Sequence, residues 1–333
     1  MCNRANGIPL SHVRKGETEA TEERLKVTAI QMRVFSKNKE ENIAHALDLI
    51  ERDSSTNPRA VCLPELFSTP YFAVTEATEV FELAETIPGP TTETLAEVAR
   101  KLNAYIIGSI FERDKLEHLY YNCAFLIDSE GDLVGKYRKM HIPFVNHRNK
   151  YINEKYYFRP GDLGFPVFSL DQLKVGMLIC YDRSFPEAWR CLALKGAEVV
   201  FVPTASSGWR SESWEFGLRT KALENGLFVV APNRVGKENF YRENSPAFFG
   251  SSIIIGPLGN ALAKAGSDGE ETISAELAFE DMREARRRNY FFRDWRPEAY
   301  DVYTRPTTAM SSARTPEEGL QTPEIRPARK EGD

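Results

Sequence analysis

The stretch VTAIQM (residues 27–32) recurs in altered form as VGMLIC (175–180), and these apolar runs begin similar series of elements in the two halves of the 333-residue chain. In both series the next apolar run contains a proline, in VCLPEL (61–66) and in VFVPTA (200–205). Self-similarity in a fixed order indicates an internal structural repeat. Two more pairs extend the match: residues 102–110 with 224–233, and the glycine-containing hairpins 128–136 with 256–264.

Each half is predicted to contain, in order, strand, helix, strand, helix, strand and hairpin. Short apolar runs that alternate with amphipathic windows are typical of α/β proteins. Neither half carries enough apolar helix surface to cover both faces of its own sheet, so we expect the two sheets to pack face to face. The predicted fold is α/β, a four-layer α-β-β-α sandwich with an internal pseudo-two-fold repeat. In the first half we expect strands at 26–31, 60–63, 104–110 and 122–128, and helices at 38–52 and 91–102.

Composition and charge argue against several classes of protein. Hydrophobic residues make up 42% and charged residues 27% of the chain, as in ordinary globular proteins. The formal charge of -5 and the pI near 5.8 argue against nucleic-acid binding, which needs a basic surface. The apolar runs are far shorter than the roughly 20 residues of a membrane helix, and the first residues lack the apolar block of a secretory signal. We therefore expect a cytoplasmic protein that binds neither membranes nor nucleic acids.

The two ends of the chain differ from its centre in composition. Residues 1–25 are polar, and residues 305–333 are rich in proline, threonine, arginine and glutamate. Both segments are expected to be extended arms, because they carry too few apolar side chains to form a core. A single domain is predicted over residues 26–304. Five scattered cysteines without a C-x-x-C pair indicate reduced thiols rather than a zinc site or a disulfide framework: Cys2, Cys62, Cys123, Cys180 and Cys191.

Three polar residues follow predicted strands and are candidates for catalysis. Cys180 precedes YDRSFPE, so a turn from strand to helix is expected to place its thiol in a cleft that favours the thiolate. Glu65 directly follows an apolar strand, where a carboxylate is suited to act as a base. Lys139 lies in KYRKMHIP, whose apolar end favours an inward-pointing cation. Taken singly, each residue has a more common structural explanation. Cys180 is then a small buried thiol, Glu65 a helix cap or ion-pair partner, and Lys139 part of a solvated basic run.

Taken together, the segments LPEL, KYRKMHIP and CYDRSFPE, in this order and with these separations, resemble the Glu-Lys-Cys signature of the nitrilase superfamily, the carbon-nitrogen hydrolases. The resemblance runs from about residue 26 to residue 303 and implies an α-β-β-α sandwich. It also implies that Cys180 is the nucleophile, Glu65 the general base and Lys139 the cation that stabilises the tetrahedral intermediate. No metal and no organic cofactor is implied.

Two further roles are implied by the same resemblance. The backbone N-H of Tyr181, next to the nucleophile, is expected to complete the oxyanion hole. Many members use a second glutamate after the lysine segment, and the matching residue in NEKYYFRPGD is Glu154. We expect Glu154 to position the substrate amine or Lys139; the alternative is a surface charge on a loop.

Within the superfamily the chain most resembles the N-carbamoyl-amino-acid hydrolases, such as β-ureidopropionase, and the neighbouring N-carbamoylputrescine amidases. Arg183 is the discriminating position, because branches that handle carboxylates bind the substrate acid group with an arginine there. Its alternative role is an ion pair with Glu187, one turn on. Arg210, in ASSGWRSESW, is expected to add positive charge near the pocket, and Asn233, in APNRVGKE, to shape the cleft wall. His141, in the lysine segment, is the remaining candidate for substrate binding.

The predicted reaction is hydrolysis of an N-carbamoyl amino acid to the amino acid, CO2 and ammonia through a thiol acyl-enzyme. The alternatives with the same centre are an N-carbamoylputrescine amidase, an ω-amidase or aliphatic amidase, and a nitrilase, although nitrilases tend to carry Trp-Glu where this chain has Tyr181-Asp182. A non-catalytic scaffold is disfavoured, because gathering buried polar groups costs stability. A metallohydrolase built on His141 and His147 lacks suitable ligand spacing.

The expected partners are a small-molecule substrate and further copies of the chain. Relatives of this kind form dimers or larger homo-oligomers, and a polar C-terminal arm is suited to reach a neighbouring copy. Residues 144–151, before Glu154, are basic and polar where relatives often carry glycine. This segment is expected to line the entrance to the pocket.

Overall fold

The computed structural model describes residues 24–53, 56–116, 118–147, 150–243, 245 and 247–304. Two compact units are present, one ending at Asn289 and the other beginning at Tyr290. The boundary between them falls inside the predicted domain of residues 26–304, near its C-terminal end. In its described part the second unit contains two short 3-10 turns, Pro297–Ala299 and Asp301–Thr304. The predicted arms lie outside the described residues, except that Arg24 and Leu25 belong to the first strand.

The described residues of the first unit form two six-stranded sheets, with strands and helices numbered here in chain order. The first sheet has the order β16 (Glu271–Ala278), β1 (Arg24–Gln31), β2 (Ala60–Cys62), β3 (Tyr105–Arg113), β4 (Tyr120–Ile127) and β5 (Leu133–Arg138). The second sheet has the order β15 (Ala261–Lys264), β14 (Ile253–Ile255), β11 (Phe228–Ala231), β10 (Val199–Phe201), β9 (Leu173–Met177) and β8 (Val167–Leu170).

The two sheets match strand for strand. In each, three parallel strands (β1, β2, β3 and β9, β10, β11) are followed by an antiparallel hairpin. Both hairpins shift register just before the turn, at residues 126/127 and 254/255. Each turn also contains a glycine with positive φ, Gly131 at 83° and Gly259 at 77°, a conformation that glycine adopts without a steric penalty. The repeat predicted from the sequence is therefore confirmed.

The sheets pack face to face because the apolar side chains of the strands alternate between two cores. Val27 and Ala29 of β1 belong to the core shared with the second sheet, whereas Ile30 belongs to the core beneath the outer helices. Helices α1 and α2 cover the first sheet, and α4 and α5 cover the second, which confirms the four-layer sandwich. The described helices are α1 (Lys39–Asp53), α2 (Pro90–Leu102), α3 (Glu154–Tyr157), α4 (Pro186–Leu194), α5 (Trp214–Asn225) and α6 (Phe279–Arg288).

The start of α2 differs from the prediction in one detail. The helix begins at Pro90 rather than at residue 91, and the side chain of Thr92 accepts a hydrogen bond from the N-H of Gly89 at 2.8 Å. Thr91 instead donates through its backbone N-H and its hydroxyl to the carboxylate of Glu85, at 2.8 and 2.5 Å. The sequence indicated the helix but not which threonine caps it, because that depends on the contact with Glu85. None of the described helices combines the length and apolar content needed to cross a bilayer.

The basic segment before Glu154 forms a two-stranded hairpin, made of β6 (Phe144–His147) and β7 (Lys150–Asn153). Strands β12 (Val235–Gly236) and β13 (Phe248–Phe249) form a second small ribbon. Because β7 runs directly into α3, the hairpin is anchored at one end by the buried Glu154. This connection places the hairpin beside the residues described next.

Candidate active site

Glu65, Lys139 and Glu154 form one buried cluster. Each is 0% exposed, although each comes from a different part of the chain: the end of β2, the end of β5 and the start of α3. The ammonium Nζ of Lys139 donates to Oε1 of Glu65 at 2.7 Å and to Oε2 of Glu154 at 2.7 Å. The cation therefore links both carboxylates, and the predicted inward orientation of Lys139 is confirmed.

The carboxylate of Glu65 is held by further donors. Oε1 accepts from Nδ2 of Asn122 at 2.7 Å, and Oε2 accepts from the backbone N-H of Ala205 at 2.9 Å. The backbone carbonyl of Glu65 accepts from Nε of Arg234 at 2.9 Å. Arg234 is fully buried and paired with Glu238 at 2.8 Å, so the loop that carries Glu65 is fixed on both its side-chain and main-chain sides.

Glu154, the second carboxylate of the cluster, has a further hydrogen-bond partner and a raised pKa. Oε1 of Glu154 accepts from the hydroxyl of Tyr71 at 2.6 Å. Burial raises the pKa of Glu154 to about 7, an effect that Lys139 opposes and Glu65 reinforces. Burial also raises the pKa of Tyr71 well above its usual range, and the neighbouring carboxylates add to that. Tyr71 thus remains a hydrogen-bond donor to Glu154 at neutral pH.

Cys180 lies just past the end of β9 in a short 3-10 turn, Cys180–Ser184, and is 8% exposed. Its φ of 46° is in the left-handed region, which a non-glycine residue adopts only when its surroundings enforce it. The buried Asp182 supplies that enforcement, because its carboxylate accepts from the backbone N-H of Ile179 at 3.0 Å, the N-H of His141 at 2.9 Å and the hydroxyl of Tyr137 at 2.8 Å. The turn is thereby tied to the first sheet.

The thiol of Cys180 is not poised as a thiolate. Burial raises its pKa to about 11, and the charge of Glu65 adds to this, while Lys139 and Arg183 act in the opposite direction. The expectation that the turn into a helix favours the thiolate is therefore wrong for the free protein. Cys180 lies in a 3-10 turn and not at the N-terminus of α4, so a helix dipole does not offset its burial.

We expect Asp182→Ala to lower the free energy of unfolding by about 3 kcal/mol, because it leaves several buried donors without an acceptor. Urea denaturation measures the change. The matched control is Asp162→Ala, which removes a half-exposed carboxylate that binds Arg138 and is expected to cost less than about 1 kcal/mol. Equal losses in the two variants would show that Asp182 does not hold the turn.

A cleft opens beside the cluster. Cys180 and Glu154 both line this cleft. Glu65 and Lys139 are fully buried and do not line it. The complete lining consists of Tyr71, Pro143, Val145, Lys150, Ile152, Glu154, Cys180, Tyr181, Arg183, Ala205, Ser206, Ser207 and Arg210.

Both predicted substrate-binding arginines line this cleft. Nη1 of Arg183 donates to the carbonyl of Cys180 at 2.7 Å and lies 3.7 Å from its Sγ, and Nη2 donates to Oγ of Ser206 at 3.1 Å. The alternative ion pair with Glu187 is not what positions Arg183. Arg210 packs its guanidinium on the ring of Tyr181, 5.2 Å from the centroid. The structure thus brings Arg183, Arg210 and Tyr181 together with Cys180.

The other two residues predicted to bind the substrate, His141 and Asn233, make contacts within the protein. His141 stacks on Phe185, with ring centroids 3.6 Å apart, and its Nδ1 lies 2.8 Å from Asp182. Asn233 is fully buried, and its amide bonds the backbone of Ser206 and of Gly250. Neither side chain lines the cleft. Asn233 instead fixes the strand end that carries Ser206.

Several functional contacts were missed by reasoning from the sequence. Asp182 stands in the quoted segment CYDRSFPE, so its closeness to Cys180 was a usable signal. Tyr71 carries no local signal at all, because its contact with Glu154 depends on the fold. Lys150 was not singled out, although its segment was expected to line the entrance to the pocket, and its side chain lines the cleft. Within the described residues, no group of three or more His, Cys, Asp or Glu side chains is arranged to hold a metal ion, and the four described cysteines are free thiols.

Comparison of the sequence with known proteins gives consistent matches. The profile of the carbon-nitrogen hydrolase family matches residues 26–287. An N-carbamoylputrescine amidase of Solanum lycopersicum is 36% identical over 272 residues, which cover 78% of this chain and 89% of that protein. A citrullinase of Francisella tularensis subsp. tularensis is 35% identical over 290 residues, which cover 84% of this chain and 98% of that protein.

Comparison with solved structures agrees. A carbon-nitrogen hydrolase from Helicobacter pylori G27 superposes with a TM-score of 0.79 at 33% identity, covering 85% of this chain and 99% of that one. The similarity therefore covers most of this chain and nearly all of each of the three relatives. It is not confined to short motifs around the cleft.

Proposed function

This chain belongs to the carbon-nitrogen hydrolase family, and we propose that it hydrolyses N-carbamoyl amino acids with Cys180 as the nucleophile. The proposal is carried by one observation, the convergence of Glu65, Lys139 and Glu154 in a buried ion-pair cluster beside the cleft that holds Cys180. Acyl transfer from an unactivated amide needs a nucleophile, a proton carrier and a positive charge where the oxyanion forms. Cys180 and the cluster together supply all three.

In the first step the thiol of Cys180 attacks the carbamoyl carbon. Because its pKa is about 11, the thiol is protonated at neutral pH, and Glu65 takes the proton as the S-C bond forms. The carbonyl electron pair moves onto oxygen, where Nζ of Lys139 and the N-H of Tyr181 stabilise it. Burial lowers the pKa of Lys139, but the carboxylates of Glu154 and Glu65 outweigh this and raise it overall, so the cation persists.

In the second step the tetrahedral intermediate collapses. The C-N bond breaks, and the leaving nitrogen takes the proton that Glu65 holds. Water then loses a proton to Glu65 and attacks the thioester carbon, and the released Sγ of Cys180 regains a proton. The carbamic acid product loses CO2, which frees the second nitrogen. Glu154 holds Lys139 in place through its 2.7 Å contact and is itself fixed by Tyr71.

Recognition of an acidic substrate is supported by the charge of the cleft. Arg183 and Arg210 line it, and within the described residues neither is paired with a carboxylate. A guanidinium binds a carboxylate through two parallel hydrogen bonds and repels an ammonium tail. The names of two relatives refer to N-carbamoylputrescine and to citrulline, which supports carbamoyl compounds as the substrate class. The arginines favour the acidic members of that class.

We expect Arg183→Gln to lower kcat/KM for N-carbamoyl-β-alanine by about 10- to 100-fold, because one charge-assisted pair is lost. The neutral carboxamide analogue of the same substrate should lose much less, so the ratio of the two kcat/KM values is the quantity to measure. The substitution also removes the hydrogen bond from Arg183 to the Cys180 carbonyl. Any loss of activity from that cause affects both substrates equally and therefore cancels in the ratio. An unchanged ratio would make Arg183 a purely structural residue.

The function itself is tested by an ammonia-release assay on a substrate panel. The panel contains N-carbamoyl-β-alanine, an N-carbamoyl-α-amino acid, citrulline, N-carbamoylputrescine, a simple aliphatic amide and a nitrile. We expect the highest kcat/KM with a carbamoyl amino acid. A clear preference for N-carbamoylputrescine, for the simple amide or for the nitrile would replace the proposed substrate class.

A further inference from the structure

We propose that Lys150, carried by the β6–β7 hairpin, is a specificity-determining residue that binds the substrate carboxylate together with Arg183 and Arg210. This inference rests on the proposed function, because it assigns the acidic group of the same substrate. All three cations line the cleft that contains Cys180. They approach it from different elements, since Lys150 belongs to β7, whereas Arg183 and Arg210 belong to the 3-10 turns Cys180–Ser184 and Gly208–Ser211.

Adjacent serines hold two of these cations next to each other. Nζ of Lys150 donates to the carbonyl of Ser207 at 2.8 Å and lies 3.2 Å from its Oγ. Nη2 of Arg183 donates to Oγ of the neighbouring Ser206 at 3.1 Å. The two charged groups are therefore fixed on the same wall of the cleft by one short segment of chain.

Within the described residues, none of the three cations forms an ion pair with a carboxylate. Their contacts there are with serine hydroxyls, backbone carbonyls, the thiol and aromatic rings. The carboxylate that shares the cleft, Glu154, is already bonded to Lys139 and Tyr71. Like charges gathered in a partly buried cleft repel each other, and an anion placed between them removes that repulsion. A substrate carboxylate is the anion that the proposed reaction supplies.

The electrostatics of Lys150 agree with this role. Burial, with a smaller contribution from the charges of Arg210 and Arg183, lowers its pKa to about 8, while Cys180 acts in the opposite direction. A bound carboxylate favours the protonated form, so binding should keep the proton on Lys150 above that pH. The charged and titratable groups that line the same spaces as Lys150 are Tyr71, Tyr151, Glu154, Cys180, Tyr181, Arg183, Arg210 and Glu238.

The position of Lys150 also gives it a selective function. Strand β7 ends at Asn153, directly before the buried Glu154, so the hairpin that carries the cation is joined to the catalytic cluster. A carbamoyl amine with an ammonium tail would meet three like charges in this cleft. Lys150 is therefore expected to favour carbamoyl acids and to exclude carbamoyl polyamines.

The test compares Lys150→Gln and Lys150→Arg with the unmodified protein on N-carbamoyl-β-alanine and its neutral carboxamide. For Lys150→Gln we expect KM for the acid to rise about tenfold with kcat nearly unchanged, while KM for the carboxamide changes less than twofold. Lys150→Arg should restore most of the affinity. Equal effects of Lys150→Gln on both substrates would overturn the proposal.

A pH series separates a substrate contact from a structural role. In the unmodified protein KM for the acid should rise as the pH increases through about 8, because Lys150 loses its charge there. The rise should be absent in Lys150→Gln and shifted to higher pH in Lys150→Arg. The matched control is Lys155→Gln, which removes an exposed lysine on α3 and should leave both kinetic constants unchanged. A KM rise that persists in Lys150→Gln would contradict the assignment.

The proposed function and this inference fail in distinguishable ways. Absence of ammonia release from every carbamoyl substrate would remove the function. Calorimetric titration with N-carbamoyl-β-alanine would then test Lys150 by itself: weaker binding to Lys150→Gln supports the carboxylate contact, and equal binding, or none to either protein, overturns it. Normal turnover with an unchanged preference for the acid in Lys150→Gln would remove only the inference.

Discussion

Replacing Cys180 with alanine is expected to reduce ammonia release from N-carbamoyl-β-alanine by at least about 10⁴-fold, because the other groups act on an intermediate that forms only on the thiol. The substitution removes one small atom from a site that is 8% exposed. We therefore expect the free energy of unfolding to change by less than about 2 kcal/mol. Ammonia assays and urea denaturation on the same preparation measure both quantities.

The matched control for this variant is Cys191→Ala. Cys191 is an exposed free thiol on α4, so its removal should leave turnover unchanged. This comparison separates loss of the nucleophile from a general effect of removing a thiol. Turnover that survives in the Cys180 variant, or that is lost in the Cys191 variant, would remove the proposed mechanism.

Lys139→Met is expected to lower the free energy of unfolding by about 3–5 kcal/mol, because it leaves two buried carboxylates without their cation. It should also lower kcat by about 10²- to 10³-fold through loss of oxyanion stabilisation. The difference in free energy of unfolding between the unmodified protein and Lys139→Met should be larger at pH 8 than at pH 5. Burial already raises the pKa of Glu154 to about 7, and without Lys139 that pKa rises further.

The sign of this pH dependence follows from linkage. A carboxyl group whose pKa is higher in the folded than in the unfolded protein binds its proton more tightly when folded. Stability is then lost as the pH rises from the unfolded pKa, about 4.5, to the folded one. A deficit that is equal at both pH values would show that Glu154 is not the group left unpaired.

Lys136→Met is the matched control for Lys139→Met. Lys136 lies on β5 close to Lys139 in sequence and pairs with the buried Glu112. Arg138 also pairs with Glu112, at 2.7 Å, so this carboxylate keeps a cation when Lys136 is removed. We expect a loss of less than about 1 kcal/mol and little change in kcat.

The sequence was sufficient to predict the sandwich and the central residues of the site. The repeat placed Glu65 and Cys180 at strand ends of matching series, and parallel strands end at one edge of a sheet, where side chains meet. Lys139 follows the first-half hairpin, which the same repeat located. These features depend on local patterns and on the order of elements, and both are visible in the sequence.

The supporting contacts depend on tertiary structure and were not predictable in the same way. Tyr71 and Glu154 are 83 positions apart, and Arg234 is 169 positions from the Glu65 carbonyl that it binds. The side chains of Asn233 and His141 bond the protein itself, and their assignment to the substrate stays a prediction. The predicted thiolate was wrong because burial outweighs the favourable charges around Cys180.

The most direct test of the central claim is rapid acid quenching of the turning-over protein, followed by peptide mass spectrometry. If Cys180 is the nucleophile, the peptide that contains it should carry an adduct derived from N-carbamoyl-β-alanine, and a chase with water should remove it. Ammonia release without any adduct on Cys180, or an adduct on the exposed Cys191 alone, would contradict a covalent mechanism at this centre.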